Sequence, residues 1–311
     1  MLVWEFNRER VWQDATITHM LPKLFFILGQ TATGKTARAV TLAKSKGGEL
    51  INCDSRQIYR GLDIITGKTD NPTDIPVHMV DVVSPDESFS AFDFAQKSII
   101  SIQEIVARGK MPIVVGGTGN YARMLKYLDP TKPKLHHAEY ISRSSLDLEK
   151  LTKGELQKML LEINRQIFTQ LNPSDKENPR RLIRAIQRSE SYIGEVLDLD
   201  SPHALANQYK VRVIMLLHKD QESLRARISQ RVDERLSSGA VEECTSLLAK
   251  GYKPADPGLA TIGYQSIFRH VAGIIDYETM KTEWATKEHQ YAKRQKTYLL
   301  KYFPEAEIIL V

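Results

Sequence analysis

The apolar run LFFIL, residues 24–28, leads directly into GQTATGKT, Gly29 to Thr36, and then into the helical pattern TARAVTLAKSK. No other feature limits the fold so strongly. A loop of the form G-x-x-x-x-G-K-[ST] between a buried strand and a helix turns backbone N–H groups and a lysine onto a phosphate chain. The helix N-terminus adds partial positive charge there. Gly29, Thr31, Ala32, Thr33, Gly34, Lys35 and Thr36 are therefore candidate phosphate ligands. Lys35 supplies a counter-charge for terminal oxygens, and the Thr36 hydroxyl is the candidate ligand for a magnesium ion. The pattern is that of an ATP-binding P-loop, but it does not by itself make ATP the occupant.

Further strands are expected at ELINCDS (49–55), VHMVDVVS (77–84), MPIVVGG (111–117) and VRVIMLL (211–217). FSAFDFAQKSIISIQEIVARG (89–109) and a stretch from Tyr121 have helical periodicity. Alternating strands and helices predict an α/β fold, a P-loop parallel-sheet core with its ligand at the carboxyl ends of the strands. Between Pro130 and residue 198 the pattern changes. LTKGELQKMLLEINRQIFTQL and NPRRLIRAIQRSESYIGEVL are helical with no strand between them, which predicts a helical insertion domain at 130–198. The core then spans 20–129 and 199–311 and ends in ETMKTEWATKEHQYAKRQKTYLLKYF, a long helix. Residues 1–19 read as a peripheral extension.

The 43 Lys and Arg against 38 Asp and Glu leave a net charge of +5, which favours an anionic partner without naming one. Cys53 and Cys244 are the two cysteines, so neither a disulfide framework nor an all-cysteine zinc site is expected, and a reducing cytoplasm fits. No C-x2-C…H-x3-5-H pattern occurs, so no zinc finger is expected. No apolar run approaches the roughly 20 residues of a membrane helix. A monomer is the default.

Asp54 ends the second strand pattern, where a carboxylate can serve as general base or magnesium partner, or simply cap a turn with Ser55. VGGTGNY (115–121) allows close backbone approach and offers the Thr118 hydroxyl, although on these residues alone a plain strand–helix turn is the stronger reading. Asp81 is a fair candidate for a second magnesium acid. Arg180, Arg184 and Arg188, and again Arg227, Arg231 and Arg235, each share a helix face. Solvated pairing with acids and contact with phosphate both explain such trios. Trp284, Tyr291 and Tyr298 recur every seven residues and are expected to face the core.

Taken in order, GQTATGKT, INCDSRQIYRGLDI, VGGTGNY, NPRRLIRAIQ, ISQRVDERLSSG and QYAKRQ resemble the bacterial-type tRNA dimethylallyltransferase (tRNA isopentenyltransferase) family over about residues 23–300. The resemblance implies transfer of a dimethylallyl group from dimethylallyl diphosphate to N6 of the adenosine immediately 3′ of the anticodon. It implies Asp54 as base on that amine, Thr118 at the reaction centre and Arg231 as a diphosphate ligand. It also implies tRNA contacts from Asp54, Ser55, Arg56, Gln57 and Thr118, and from Arg180, Arg181, Leu182, Ile183 and Arg184 in an insertion that clamps the anticodon arm. Five positions depart from the family pattern. Gln30 replaces a proline, Ile65 a glycine, Glu288-His289 a Thr-Arg pair, and Tyr298 a tryptophan.

Three other functions share parts of this pattern. An adenylate isopentenyltransferase would prenylate free AMP, ADP or ATP, a small-molecule P-loop kinase would transfer phosphate, and a non-catalytic RNA-binding protein would keep only the loop. The insertion and its arginines argue for a polynucleotide acceptor. VGGTGNY argues against the kinase, and retention of both Lys35 and Asp54 argues against the binding protein.

Overall fold

A computed structural model describes residues 21–68, 74–131, 148–190, 197 and 199–311. The extension at 1–19 falls outside them. Six strands form one sheet in the order β3-β2-β4-β1-β5-β6. They are β1 (Lys23–Gly29), β2 (Gly48–Asn52), β3 (Val77–His78), β4 (Met111–Gly116), β5 (Lys210–Leu217) and β6 (Glu307–Leu310). Every neighbouring pair is parallel. Parallel strands covered on both faces need unbroken apolar runs rather than alternation. Phe26, Ile27 and Leu28 in β1, and Ile113, Val114 and Val115 in β4, are all buried accordingly. Phe26 sits opposite Val114 on one side and Val213 on the other, which centres β1 in the sheet.

The helices are α1 (Lys35–Lys46), α2 (Ala91–Ala107), α3 (Gly119–Tyr127), α4 (Lys153–Ile163), α5 (Arg165–Gln170), α6 (Pro173–Lys176), α7 (Pro179–Glu190), α8 (Leu205–Gln208), α9 (Gln221–Ser237), α10 (Ala240–Ala249), α11 (Tyr264–Val271) and α12 (Tyr277–Tyr302). Among the described residues none is long and apolar enough to cross a membrane. Ala39 and Ala43 of α1 pack with Ile27, Leu50, Ile113 and Ile214 on the sheet. A second cluster gathers Ile58, Leu62 and Ile65 against α10, α11 and Trp284 of α12.

Several boundaries differ from expectation for local reasons. The third strand stops after two residues because Met79 and Asp81 adopt φ of 65° and 53°, left-handed conformations that no strand continues through. The helix expected across 151–171 is two. Asn164 closes α4 through its N–H on Leu160 O and opens α5 by accepting Ile167 N–H on its side chain at 3.0 Å. The four-residue edge strand β6 and the helix α11 carry too short a pattern to be expected from sequence.

The chain divides into two compact units, one within Met1–Tyr127 and Leu205–Val311, the other within Leu128–Ala204. The second is a few residues wider than 130–198. Leu128 bridges Leu197, and the carboxylate of Asp129 accepts from Thr131 N–H at 2.9 Å and from Ser201 Oγ at 2.7 Å, so both flanks of the insertion are tied within it. Its core is Leu148, Leu156, Leu160, Leu182, Ile183, Ala185 and Ile186.

Trp284 is fully buried at the centre of the larger helical cluster. Replacing it with alanine leaves a cavity that a close-packed core fills only in part, at a cost of about 3–5 kcal/mol. Equilibrium urea unfolding of Trp284→Ala measures this, and a loss below about 1 kcal/mol would contradict the packing.

Candidate active site

A cavity of about 490 Å³ opens at the carboxyl ends of β1, β2 and β4. Lys35, Thr36, Asp54, Thr118, Arg231 and Tyr291 are among the residues lining it. Thr31, Ser55, Arg56 and Gln57 line it too. A neighbouring cavity of about 330 Å³ shares Lys35, Thr36 and Arg231 and adds Ala32, Thr33, Gly34 and Arg227. Sequence positions 31 to 295 thus converge on one locus.

The phosphate loop is wound by backbone conformations that expose its amides. Gly34, the residue before α1, has φ 74°, and Ala32 takes φ 62° without the freedom of glycine. Three side chains hold this shape. Thr33 Oγ1 donates to Gln30 O at 2.8 Å. The amide of Gln30 donates to Ala292 O at 3.1 Å and accepts from His218 N–H at 3.0 Å, joining the loop to α12 and the end of β5. The buried amide of Gln295 accepts from Thr31 N–H at 2.8 Å and donates to Gly117 O at 3.0 Å, joining the loop to the turn after β4. The bracing roles of Gln30 and Gln295 escaped the sequence reading because their partners lie far away in the chain.

Lys35 is half-buried and its ammonium donates to Gln30 O. Burial first, and then the nearby Arg231 charge, bring its pKa down to about 8, while Asp54 works in the opposite direction. Arg231 is placed by α9, whose Leu224, Ile228 and Val232 face inward. Arg235, one turn on, also lines the larger cavity and pairs with Glu288 at 3.6 Å. Glu288, one of the departures from the family pattern, also accepts from Trp284 Nε1 at 3.4 Å.

β2 ends at Asn52, so Asp54 lies in the turn beyond the strand rather than at its last residue. That turn is stitched to β4: Cys53 N–H donates to Val115 O at 2.7 Å, and Thr118 N–H to Cys53 O at 3.1 Å. A Cβ on Gly116 would stand 2.1 Å from Cys53 O, so glycine is what permits the approach. Asp54 Oδ1 accepts Arg56 N–H at 2.9 Å. The carboxylate therefore caps the turn, through Arg56 N–H, and lines the cavity at once. Thr118 Oγ1 accepts Ser55 N–H at 3.0 Å. Tyr291, packed beside them, has its hydroxyl pushed up to about 12 by burial and then by the Asp54 charge.

Some expectations are corrected. Of the seven-residue stripe, only Trp284 is core; Tyr291 lines the cavity, and half-buried Tyr298 covers Gly119 with its hydroxyl 3.2 Å from Asn120 Oδ1. Asp81 takes no part in the cavity lining, because its carboxylate is engaged by Lys68. Leu182 and Ile183, expected among RNA contacts, are buried in the insertion core because the helical period turns them inward. Arg180, Arg181 and Arg184 are exposed on α7, with Arg181 also paired to Asp175. The side chain of Arg188 lies outside the described residues.

A magnesium ion fits the donor set in one particular way. Among the described residues no group of three or more His, Cys, Asp or Glu could hold a metal. The Thr36 hydroxyl, a hard oxygen donor, reaches both cavities. Magnesium habitually takes one or two protein oxygens, with phosphate and water completing its shell.

Comparison with known proteins identifies the family. The sequence profile of the IPP transferase family matches residues 57–302, and that of the isopentenyl transferase family matches residues 22–74. A tRNA dimethylallyltransferase of Exiguobacterium sp. is 35% identical over 288 residues, covering 89% of this chain and 87% of the relative. The fold matches the tRNA delta(2)-isopentenylpyrophosphate transferase of Staphylococcus epidermidis with a TM-score of 0.63 at 28% identity, covering 93% of this chain and 92% of that one. It matches a eukaryotic dimethylallyltransferase acting on tRNA with a TM-score of 0.73 at 25% identity, covering 93% of this chain and 73% of that one. With profile, sequence and fold in agreement across nearly the whole chain, this protein belongs to the tRNA dimethylallyltransferase family.

Proposed function

We propose that this enzyme is a prenyltransferase that moves the dimethylallyl group of dimethylallyl diphosphate to N6 of the adenosine immediately 3′ of the anticodon in tRNA. The observation that carries this reading is the meeting of an anion site, Lys35 with Thr36 and Arg231, and the carboxylate of Asp54 in one cavity. An exocyclic adenine amine is a weak nucleophile, because its lone pair is delocalised into the ring. An allylic carbon compensates by developing positive charge as its diphosphate departs. The protein must then stabilise a leaving anion, which Lys35, Arg231 and the loop amides do electrostatically. It must also accept the amine proton, the role of Asp54, whose Oδ1 is oriented by Arg56 N–H. Magnesium held at Thr36 would neutralise diphosphate charge. The acceptor base leaves its stack to reach the cavity. Thr118 braces the turn that carries Asp54.

The exposed Arg180, Arg181 and Arg184 are the part of the insertion suited to phosphates of the anticodon arm. We place the enzyme in the cytoplasm as a monomer that uses no zinc. The deciding experiment supplies radiolabelled dimethylallyl diphosphate and magnesium with unmodified tRNA or with AMP. Label in tRNA supports the proposal, label in AMP makes the protein an adenylate isopentenyltransferase, and ATP consumed in step with product makes it a kinase.

Three measurements test the residues. Asp54→Asn keeps the shape of the side chain but cannot accept the proton, so turnover falls about 10²–10⁴-fold while inorganic diphosphate still binds. Near wild-type turnover would make Asp54 structural. For Lys35, a pKa near 8 means the ammonium is present below that pH and lost above it. The ratio of wild-type to Lys35→Ala affinity for inorganic diphosphate therefore falls about tenfold from pH 7 to pH 9. A constant ratio would refute the lowered pKa. Finally, each arginine on a phosphate releases condensed counterion, with a log–log salt slope of about −0.7 to −0.9 per contact. Substituting both Arg180 and Arg184 with alanine flattens the slope of tRNA binding by about one to two units and raises KM for tRNA far more than for dimethylallyl diphosphate. Equal slopes would remove α7 from tRNA recognition.

A further inference from the structure

Glu243, on α10, lies outside the cavity, yet its carboxylate is occupied completely. Oε2 accepts the backbone N–H of Asp63 at 2.8 Å and of Ile64 at 2.6 Å. Oε1 accepts Ile65 N–H at 3.2 Å and the Tyr264 hydroxyl at 2.5 Å. Three successive amides turned onto one anion form a nest, a geometry that fixes the peptide planes and loses its binding energy if the anion is removed. The other end of the same loop is fixed by Lys68, which pairs with Asp63 at 2.5 Å and donates to Tyr59 O at 2.8 Å.

This loop then enters the cavity. Ile65, Thr66 and Gly67 line it, and Thr66 O accepts Gln57 Nε2 at 3.0 Å. That bond takes up one of the two N–H groups of Gln57. It leaves the other N–H and the amide oxygen to address a base edge. We propose that Glu243 is a positioning residue for the acceptor: it fixes the loop at 63–67, and the loop sets the orientation of the Gln57 amide against the tRNA base. The inference rests on the prenyl transfer to tRNA proposed above.

The test is steady-state transfer by the full-length enzyme, varying tRNA at saturating dimethylallyl diphosphate and then the reverse. In Glu243→Gln an amide N–H₂ replaces one acceptor oxygen and faces backbone N–H groups. KM for tRNA rises about tenfold, while kcat and KM for dimethylallyl diphosphate stay near wild type. Gln57→Ala raises KM for tRNA similarly, and the double variant is no worse than Gln57→Ala alone, because the two act in series. If Glu243→Gln does not fold, Tyr264→Phe removes a single one of the four bonds and raises KM for tRNA about threefold. An unchanged KM for tRNA, equal rises for both substrates, or additive effects in the double variant would each overturn the inference. Failure of wild type to label tRNA at all would instead overturn the reaction on which it rests.

Discussion

The amide of Gln295 connects the phosphate loop to the turn after β4, and the geometry of the cavity depends on that connection. A loop that binds phosphate through backbone amides must place left-handed residues in series, which no sheet or helix ladder stabilises. Thr31 N–H would otherwise be a donor without a partner in a partly buried place. Gln295 accepts it and, with the other end of the same amide, donates to Gly117 O. Because Gly117 adjoins Thr118, and Thr118 braces the turn of Asp54, one side chain fixes the distance between the loop and Asp54. Gln30 adds a second tie, from the same loop to Ala292 and His218. A proline at position 30 could make neither bond, so it is the glutamine that ties this loop to α12 and to the end of β5.

The long helix α12 therefore does more than close the fold. Trp284, Glu288, Tyr291, Gln295 and Tyr298 follow one another at steps of four, three, four and three residues, which keeps them on one face. Trp284 anchors that face in the core, Glu288 engages Arg235, Tyr291 walls the cavity beside Asp54, and Gln295 holds the loop. Rigid elements position side chains more accurately than loops do. Here a single helix fixed by one buried indole positions three polar groups around the cavity.

What the sequence disclosed follows from how local each signal is. The P-loop is eight contiguous residues, and the strand before it and helix after it are each a single run, so loop, fold class and Lys35 were legible together. Asp54 and Thr118 were legible as polar residues just beyond apolar strands. Their partnership through Ser55 was not, because it joins residues 63 positions apart. The seven-residue spacing marked the right face of α12 but gave no means of telling core from cavity, since both are lined by aromatic residues. Leu182 and Ile183 entered the candidate set as neighbours of arginines, whereas the period of 3.6 sends them to the opposite face. Glu243 gave no signal at all, and Gln295 stood only as the last residue of QYAKRQ, with nothing in the sequence to show its partners. Each is an ordinary helical polar residue whose partners lie about 180 to 264 positions away.

The charge balance of the cavity suits prenyl transfer in particular. Its lining carries Lys35, Arg56, Arg231, Arg235 and Arg294 against Asp54 and Glu288. Glu288 is committed to Arg235 and Trp284. Asp81, the acid considered for magnesium in phosphoryl transfer, is committed to Lys68. Asp54 is then the acid left to respond, and it already helps keep Lys35 charged against the opposing effects of burial and Arg231. In the proposed reaction the adenine amine gives its proton to Asp54 as the allylic C–O bond breaks. The carboxylate thereby loses its negative charge at the stage when negative charge accumulates on the departing diphosphate. The cations it had partly balanced act on the leaving group with one competitor fewer, so proton acceptance and leaving-group stabilisation reinforce each other across the same cavity.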